Sequence, residues 1–160
     1  MMHGLIGYQP QKNNIDVDQT VKEHLALFAN LAGVCNSVID LRVNLMVSNL
    51  GLKDFASVKA GALSEGFKRR LTLGMALIGR PKVVILDDPL MGVDPASIHR
   101  VLKTIREETQ DNTLLVCTQN IDVAEALASR MAIMHKGKIK AVGTIGEIMS
   151  THGKGYTIEL

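Results

Sequence analysis

Tryptophan is absent, and the sequence holds only two tyrosines and three phenylalanines. Proteins that bind single-stranded nucleic acid rely on aromatic stacking platforms, so that class is disfavoured. A one-sided charge is missing too. Lys and Arg number 18 against 16 Asp and Glu, a formal +2, too small to draw a nucleic-acid backbone. Two cysteines, Cys35 and Cys117, are too few and too far apart for a disulfide scaffold. Their apolar sequence neighbourhoods predict buried free thiols in a reducing compartment. The five histidines show no metal-ligand spacing. No apolar run approaches the ~20 residues of a membrane helix. The longest, Leu71 to Ile78, is interrupted by Thr72 and Gly74. Met1 to Gly4 carries neither a basic segment nor a cleavage pattern, so no signal peptide is read there.

What is present is a folding balance. Of 160 residues, 46% are hydrophobic and 21% charged, enough for one domain with a core. The chain is expected to be cytosolic, with membership of a membrane assembly open.

Short apolar runs alternate with amphipathic segments. Leu5 to Tyr8 reads as a strand ended by Pro10. Thr20 and Glu23 form a capping box for a helix whose inward face is expected at Val21, Leu25, Phe28 and Leu31 or Ala32. A second helix, about Ser37 to Asn49, is expected to turn Val38, Leu41 and Leu45 inward, with Gly51 as its stop. A third is expected over Phe67 to Ile78. Lys68, Arg69 and Arg70 would then sit in its first turn, where the helix dipole disfavours cations. Either they meet an anionic partner, or they are ordered elsewhere, or they form a solvated face. Val83 to Leu86 is a continuous apolar run of the kind covered on both faces in parallel sheets. Asp94 and Pro95 signal a helix start. Leu114 to Thr118 is a second buried-strand pattern, and Asn120 caps a short helix. A hairpin turning at Lys136-Gly137, a capping box at Thr144 and Glu147, and a last strand over Tyr156 to Leu160 complete the reading. Strand and helix alternation predicts an α/β domain with a mostly parallel sheet.

Several short stretches can carry chemistry. The Val83 strand ends in Asp87-Asp88, and a carboxylate at the C-terminal edge of a parallel strand lies where open α/β sheets bind ligands. In phosphate chemistry such an aspartate holds Mg²⁺ and the next acidic residue orients a water. An acidic loop without that role is the equal alternative. Leu63-Ser64-Glu65-Gly66 places a hydroxyl and a glycine at a helix start, an anion-binding arrangement that is equally a plain N-cap. Gly92-Val93-Asp94-Pro95, Thr118-Gln119-Asn120 and Tyr8-Gln9-Pro10-Gln11 follow, and their joint order is more specific than any part.

In that joint order the chain resembles the nucleotide-binding domain of ATP-binding-cassette (ABC) transporters, most closely the A subfamily of lipid exporters, over essentially its whole length. Ile6 to Gln11 resembles the Q-loop, Leu63 to Phe67 the signature motif with Lys68-Arg69-Arg70-Leu71 as its continuation, and Val83 to Asp88 Walker B. Gly92 to Pro95 resembles the D-loop, Gln119 falls at the switch-histidine position, and Ala132 to Gly137, Gly143 to Ile145 and Gly155-Tyr156 match the subfamily pattern. The resemblance implies a P-loop NTPase (RecA-like) fold with an inserted helical subdomain. Q-loop, helical subdomain and signature helix would occupy about 12–80, and Walker B, D-loop, switch region and C-terminal strands about 81–160. It implies ATP and Mg²⁺ as cofactors, with Gln11 and Asp87 toward the metal, Ser64, Glu65, Gly66 and Asp94 toward nucleotide, and Asp88 and Gln119 as catalytic positions. It implies as partners a second nucleotide-binding domain and transmembrane domains, with no nucleic acid, at the cytosolic face of a membrane.

The sequence also departs from that pattern. No G-x-x-x-x-G-K-[ST] phosphate loop is present; Gly61 to Lys68 sets its lysine one place late, without a following Ser or Thr. The domain is therefore expected to be N-terminally truncated. Asp88 stands for the usual Glu, about one methylene short, and misplacement by ~1 Å can cost ~100-fold in rate. Gln119 has no titratable imidazole. Glu65 puts an anion where phosphate is expected, and Phe67 replaces a polar side chain. Three readings follow: a partial domain with a degenerate, inactive site; an active ATPase domain whose first third is not included; and a non-catalytic module that pairs with an intact cassette.

Overall fold

The structure is a computed structural model, and it describes residues 5–152. The expected strand over Tyr156 to Leu160 and the Gly155-Tyr156 match lie outside the described residues. The residues divide between Gln119 and Asn120 into two compact units.

The first unit holds β1 (Ile6–Gln9), α1 (Val21–Leu31), α2 (Ile39–Asn49), α3 (Glu65–Leu77), β2 (Val83–Asp87), α4 (Pro95–Thr109) and β3 (Thr113–Cys117). Its sheet is parallel in the order β1-β2-β3, with Ile6 opposite Val83 and Val83 opposite Thr113. Three helices are thus inserted between β1 and β2, and α4 makes the crossover from β2 to β3. β2 is the central strand because its run is the most apolar. Val84 and Leu86 are fully buried, while Val83 and Ile85 on the opposite face are half-covered.

The core lies where α1, α2 and α3 meet. Leu25, Met46, Leu50, Leu52, Leu71, Leu73 and Leu77 are all fully buried, each worth about 1.5–3 kcal/mol of transfer free energy. Gly74 lets the helices close in, since a Cβ there would lie 2.9 Å from a Leu50 methyl and 3.0 Å from one on Leu25.

Helix starts follow their caps. Thr20 and Glu23 make the expected reciprocal capping box, Ser64 accepts from the Phe67 N–H at 3.4 Å, and Asp94 accepts from the Ser97 N–H at 3.0 Å with Pro95 next. Gly51, at φ 65°, follows α2 in the left-handed conformation that a β-carbon disfavours.

Four expectations are corrected. The inward face of α2 is Ile39, Val43, Met46 and Val47; Val38, Leu41 and Leu45 are exposed. A 3₁₀ turn over Asn36–Val38 precedes the helix and shifts its phase. On α1, Leu31 is exposed, and His24 and Ala29 join Val21 and Leu25 inside. Cys35 and Cys117 are both exposed. Cys35 stands in the loop before α2, and Cys117 ends β3, which has a strand on one side only among the described residues. The same one-sided pairing leaves Leu115 exposed and no residue of β3 fully buried. Finally, α3 starts at Glu65 rather than Phe67, so its first turn carries Glu65, which suits the dipole, and the three cations stand two residues deeper in the helix, at its fourth to sixth positions.

The second unit holds α5 (Ile121–Leu127), capped by Asn120, an antiparallel hairpin of β4 (Met131–His135) and β5 (Lys138–Gly143), and α6 (Ile145–His152). The hairpin turns at Lys136 (φ 48°) and Gly137 (φ 71°), two left-handed residues that match strand twist. The Thr144 and Glu147 capping box is formed as expected.

Candidate functional site

β2 delivers Asp87 and Asp88 to the C-terminal edge of the sheet. Asp88 turns there into the left-handed region, φ 48°, which aspartate tolerates better than most residues. Its N–H donates to the Cys117 carbonyl at 2.7 Å, so β3 pins the turn. Its carboxylate then meets two groups. The Gln11 amide donates to one oxygen at 3.4 Å and the Gln119 backbone N–H to the other at 3.3 Å. Gln11, Asp87, Asp88 and Gln119, far apart in sequence, therefore share one edge. All four are exposed or half-exposed, and oxygen donors of this kind suit a hydrated divalent cation.

A second group gathers at the start of α3. Gly66 abuts the turn before α4 so closely that a Cβ would lie 2.4 Å from the Gly92 carbonyl oxygen. Asp94 caps α4 and lies 3.7 Å from the Arg70 guanidinium. Hydrogen bonds from Ser97, aided by Arg70, hold its carboxyl below the usual range. Glu65 points at neither the helix amides nor open solvent alone. It accepts from Lys68 at 2.9 Å and from the Asn13 amide at 3.1 Å, and both interactions lower its pKa, Lys68 more. An open groove of about 500 Å³ lies here, lined by Gln11, Asn13, Ile15, Glu65, Lys68 and Met91 among others. Phe67 stacks on Phe55 with centroids 4.1 Å apart, and the Arg70 guanidinium lies 4.2 Å over its ring. That face is occupied.

Sequence reasoning missed what joins the two groups. Arg69 is fully buried, and its guanidinium is spent on backbone acceptors rather than on a solvated face. Nη1 donates to Pro10 O at 2.6 Å, Gln11 O at 3.0 Å and Asn13 Oδ1 at 3.2 Å, Nε to Asp88 O at 3.1 Å, and Nη2 to Asp87 O. Burial lowers its pKa while Asp87 and Asp88 oppose the shift. Gln9, also fully buried, donates to Arg69 O at 2.9 Å and Thr72 Oγ1 at 3.0 Å. The signal was the run Lys68-Arg69-Arg70 itself: helical spacing cannot keep three successive cations on one solvated face.

The Gln11, Asp87 and Asp88 edge fits a divalent cation held mainly through water, because it offers carboxylate and amide oxygens in reach of solvent. Among the described residues no three acidic, histidine or cysteine side chains converge on a metal site. Toward a triphosphate the described residues offer the carboxylates of Glu65 and Asp88, each already bonded to a side-chain amide, Asn13 and Gln11 respectively.

Comparison with known proteins supplies the relatives. Residues 1–91 match the protein family described as ABC transporter. The chain is 36% identical over 157 residues to the glucosylceramide transporter ABCA12 of Homo sapiens, covering 98% of this chain and 6% of that protein. It is 38% identical over 160 residues to the retinal-specific phospholipid-transporting ATPase ABCA4 of Bos taurus, covering 99% and 7%. A solved ATP-binding subunit of an ABC transporter superposes with a TM-score of 0.82 at 27% identity, over 93% of this chain and 62% of that one. The chain thus spans under a tenth of the length of those two relatives. The likeness to the solved subunit bears out the α/β fold of the P-loop NTPase class.

Proposed function

This chain belongs to the ABC transporter family, and from that premise we propose that it supplies the Q-loop, signature, Walker B and D-loop faces of a nucleotide-binding domain without hydrolysing ATP by itself. One observation carries the reading. The Gln11–Asp88–Gln119 edge is assembled, yet the sequence has no phosphate loop to bring a triphosphate to it. Carboxylates alone repel phosphate, and a P-loop binds it through backbone N–H groups and the lysine of a G-x-x-x-x-G-K-[ST] run, which the given sequence does not contain.

Within this proposal Asp87 and Gln11 face a hydrated Mg²⁺, which would offset the negative charge of the phosphates when bound. Asp88 holds the position of the water-orienting carboxylate, one methylene short. Gln119 lends its backbone N–H to Asp88 rather than an imidazole to the substrate. Ser64, Gly66 and Asp94 form the face offered to nucleotide held by another domain, and Glu65, tied to Lys68 and Asn13, competes with phosphate there. The partners are a second cassette domain and transmembrane domains, at the cytosolic face of a membrane. The names of its relatives, a glucosylceramide transporter and a phospholipid-transporting ATPase, suggest a lipid as cargo of the whole protein.

Calorimetry with ATP·Mg²⁺ and a phosphate-release assay test this together. The expected outcome is no micromolar binding and no turnover by the chain alone. Phosphate release at the rate of an intact, active cassette domain would refute it. A chain that binds an intact cassette domain and alters its turnover, with Asp88→Asn making no difference, would favour the non-catalytic module instead.

A further inference from the structure

Arginine is among the residues least often buried completely, and Arg69 is 0% exposed. Its acceptors are not scattered. Four are main-chain carbonyls, from Pro10 and Gln11 on one side and from Asp87 and Asp88 on the other. These backbones carry the side chains that meet at the candidate edge. A planar fork with five N–H donors in fixed directions can bridge two such loops at one spacing; a lysine ammonium is a point charge on a flexible stem and cannot. The Asp88 carbonyl that accepts from Arg69 also accepts from the Met91 N–H at 3.1 Å, so the left-handed turn at Asp88 is held from both ends.

We propose that Arg69 is a positioning residue: its guanidinium sets the separation of the Gln11 loop from the Asp87–Asp88 turn, and so the distance between the Gln11 amide and the Asp88 carboxylate. The proposal deepens the preceding reading, on which it rests for the meaning of that edge, and its test is independent of nucleotide. Arg69 touches no reacting group. It acts through the backbones of residues that would.

The test compares the wild-type chain with Arg69→Lys by nitrogen-15 relaxation and amide hydrogen exchange. In the wild type, Gln11 and Asn13 should show the order parameters of rigid backbone, about 0.85, falling toward 0.6 in the variant. Exchange at Asp88 and Met91, whose N–H groups bond to Cys117 O and Asp88 O, should accelerate about tenfold or more, with α2 amides unchanged. Unchanged loops would overturn the proposal. So would equal acceleration throughout, because it marks a merely structural arginine. Should the variant fail to fold, the wild type still decides. Separately resolved, slowly exchanging Nη hydrogens on Arg69 support the fork, and one averaged, rapidly exchanging signal refutes it. Titration with ATP·Mg²⁺ separates the two readings: micromolar binding by the wild-type chain would overturn the preceding reading and leave the loop result standing.

Discussion

Removal of the Glu108 carboxylate should be strongly destabilising. Glu108 on α4 receives two bonds from Arg42 on α2, at 2.8 Å from Nη1 and 2.5 Å from Nη2. Both side chains are nearly buried, 11% and 5% exposed. Arg42 also donates to the carbonyls of Ile78, at 2.9 Å, and Leu77, at 3.3 Å, and so ties three helices together. Glu108→Ala leaves Nη1 without its acceptor and the guanidinium without its counter-ion. Breaking a buried pair this way costs about 3–5 kcal/mol. Arg42 can relax toward solvent, so about 3 kcal/mol is the better figure. Arg80 adds little to the loss, since it lies 3.5 Å away and is 70% exposed. With a urea slope of about 2 kcal/mol per molar, the midpoint should fall by about 1.5 M. The exposed Lys59–Asp18 pair, 65% and 82% exposed, is the internal comparison: its removal should cost under about 1 kcal/mol and fade with salt. Urea denaturation followed by far-ultraviolet dichroism reads both. The apolar double replacement, Arg42→Met with Glu108→Leu, should recover most of the loss. A Glu108→Ala cost below about 1 kcal/mol, or a double variant as weak as the single, would refute the reasoning.

Three further outcomes follow from the same geometry. Gly66→Ala gains about 1 kcal/mol of helix propensity but forces the Gly92 carbonyl away from a 2.4 Å clash, costing about 1–3 kcal/mol. A net loss with faster exchange at the Val93 amide is expected, and a stabilised protein would contradict the close approach. Glu65 has its pKa lowered from 4.5 by Lys68 and Asn13, so the contact contributes fully above about pH 4.5 and is lost as pH falls through the lower folded value. Carboxyl NMR titration should find a midpoint below 4.5 that Lys68→Met raises; an unmoved midpoint would sink the assignment. Cys35, exposed and with its thiol pKa lowered by hydrogen bonds with Ser37, should react with maleimide in the native state, and protection until unfolding would contradict the structure.

Much of the fold was legible because local signals and tertiary packing agree. The caps at Thr20, Ser64 and Asp94 rest on side-chain chemistry within three residues, and the central strand was visible as an apolar run. The inward face of α2 was not legible. Both stripes are apolar, and a 3₁₀ turn of three residues decided which faced in. The exposure of Cys117 was invisible for a different reason: burial of a strand depends on what lies beside it, not on its own residues. At the site, the joint order of motifs named Gln11, Asp87, Asp88 and Gln119. Arg69 stood out only as one of three cations with several open fates; its role stayed hidden because its partners are mostly main-chain carbonyls, which carry no sequence signature.

The insertion of three helices between two adjacent strands bears on how the chain reaches this structure. β2 and β3 are joined through a single helix and can pair early. β1 pairs with β2 across everything between Gln9 and Val83, a much longer closure. Closing the longer loop adds little to the equilibrium cost, about 0.6 kcal/mol per doubling of length. Its effect is on the rate, because distant pairings form late. Arg69 needs acceptors from both sides of that closure, so its fork can form only when β1 docks. The Gln11–Asp88 edge should thus be among the last parts of the first unit to appear during refolding, and pulse-labelled exchange would show β1 amides protected after those of β3.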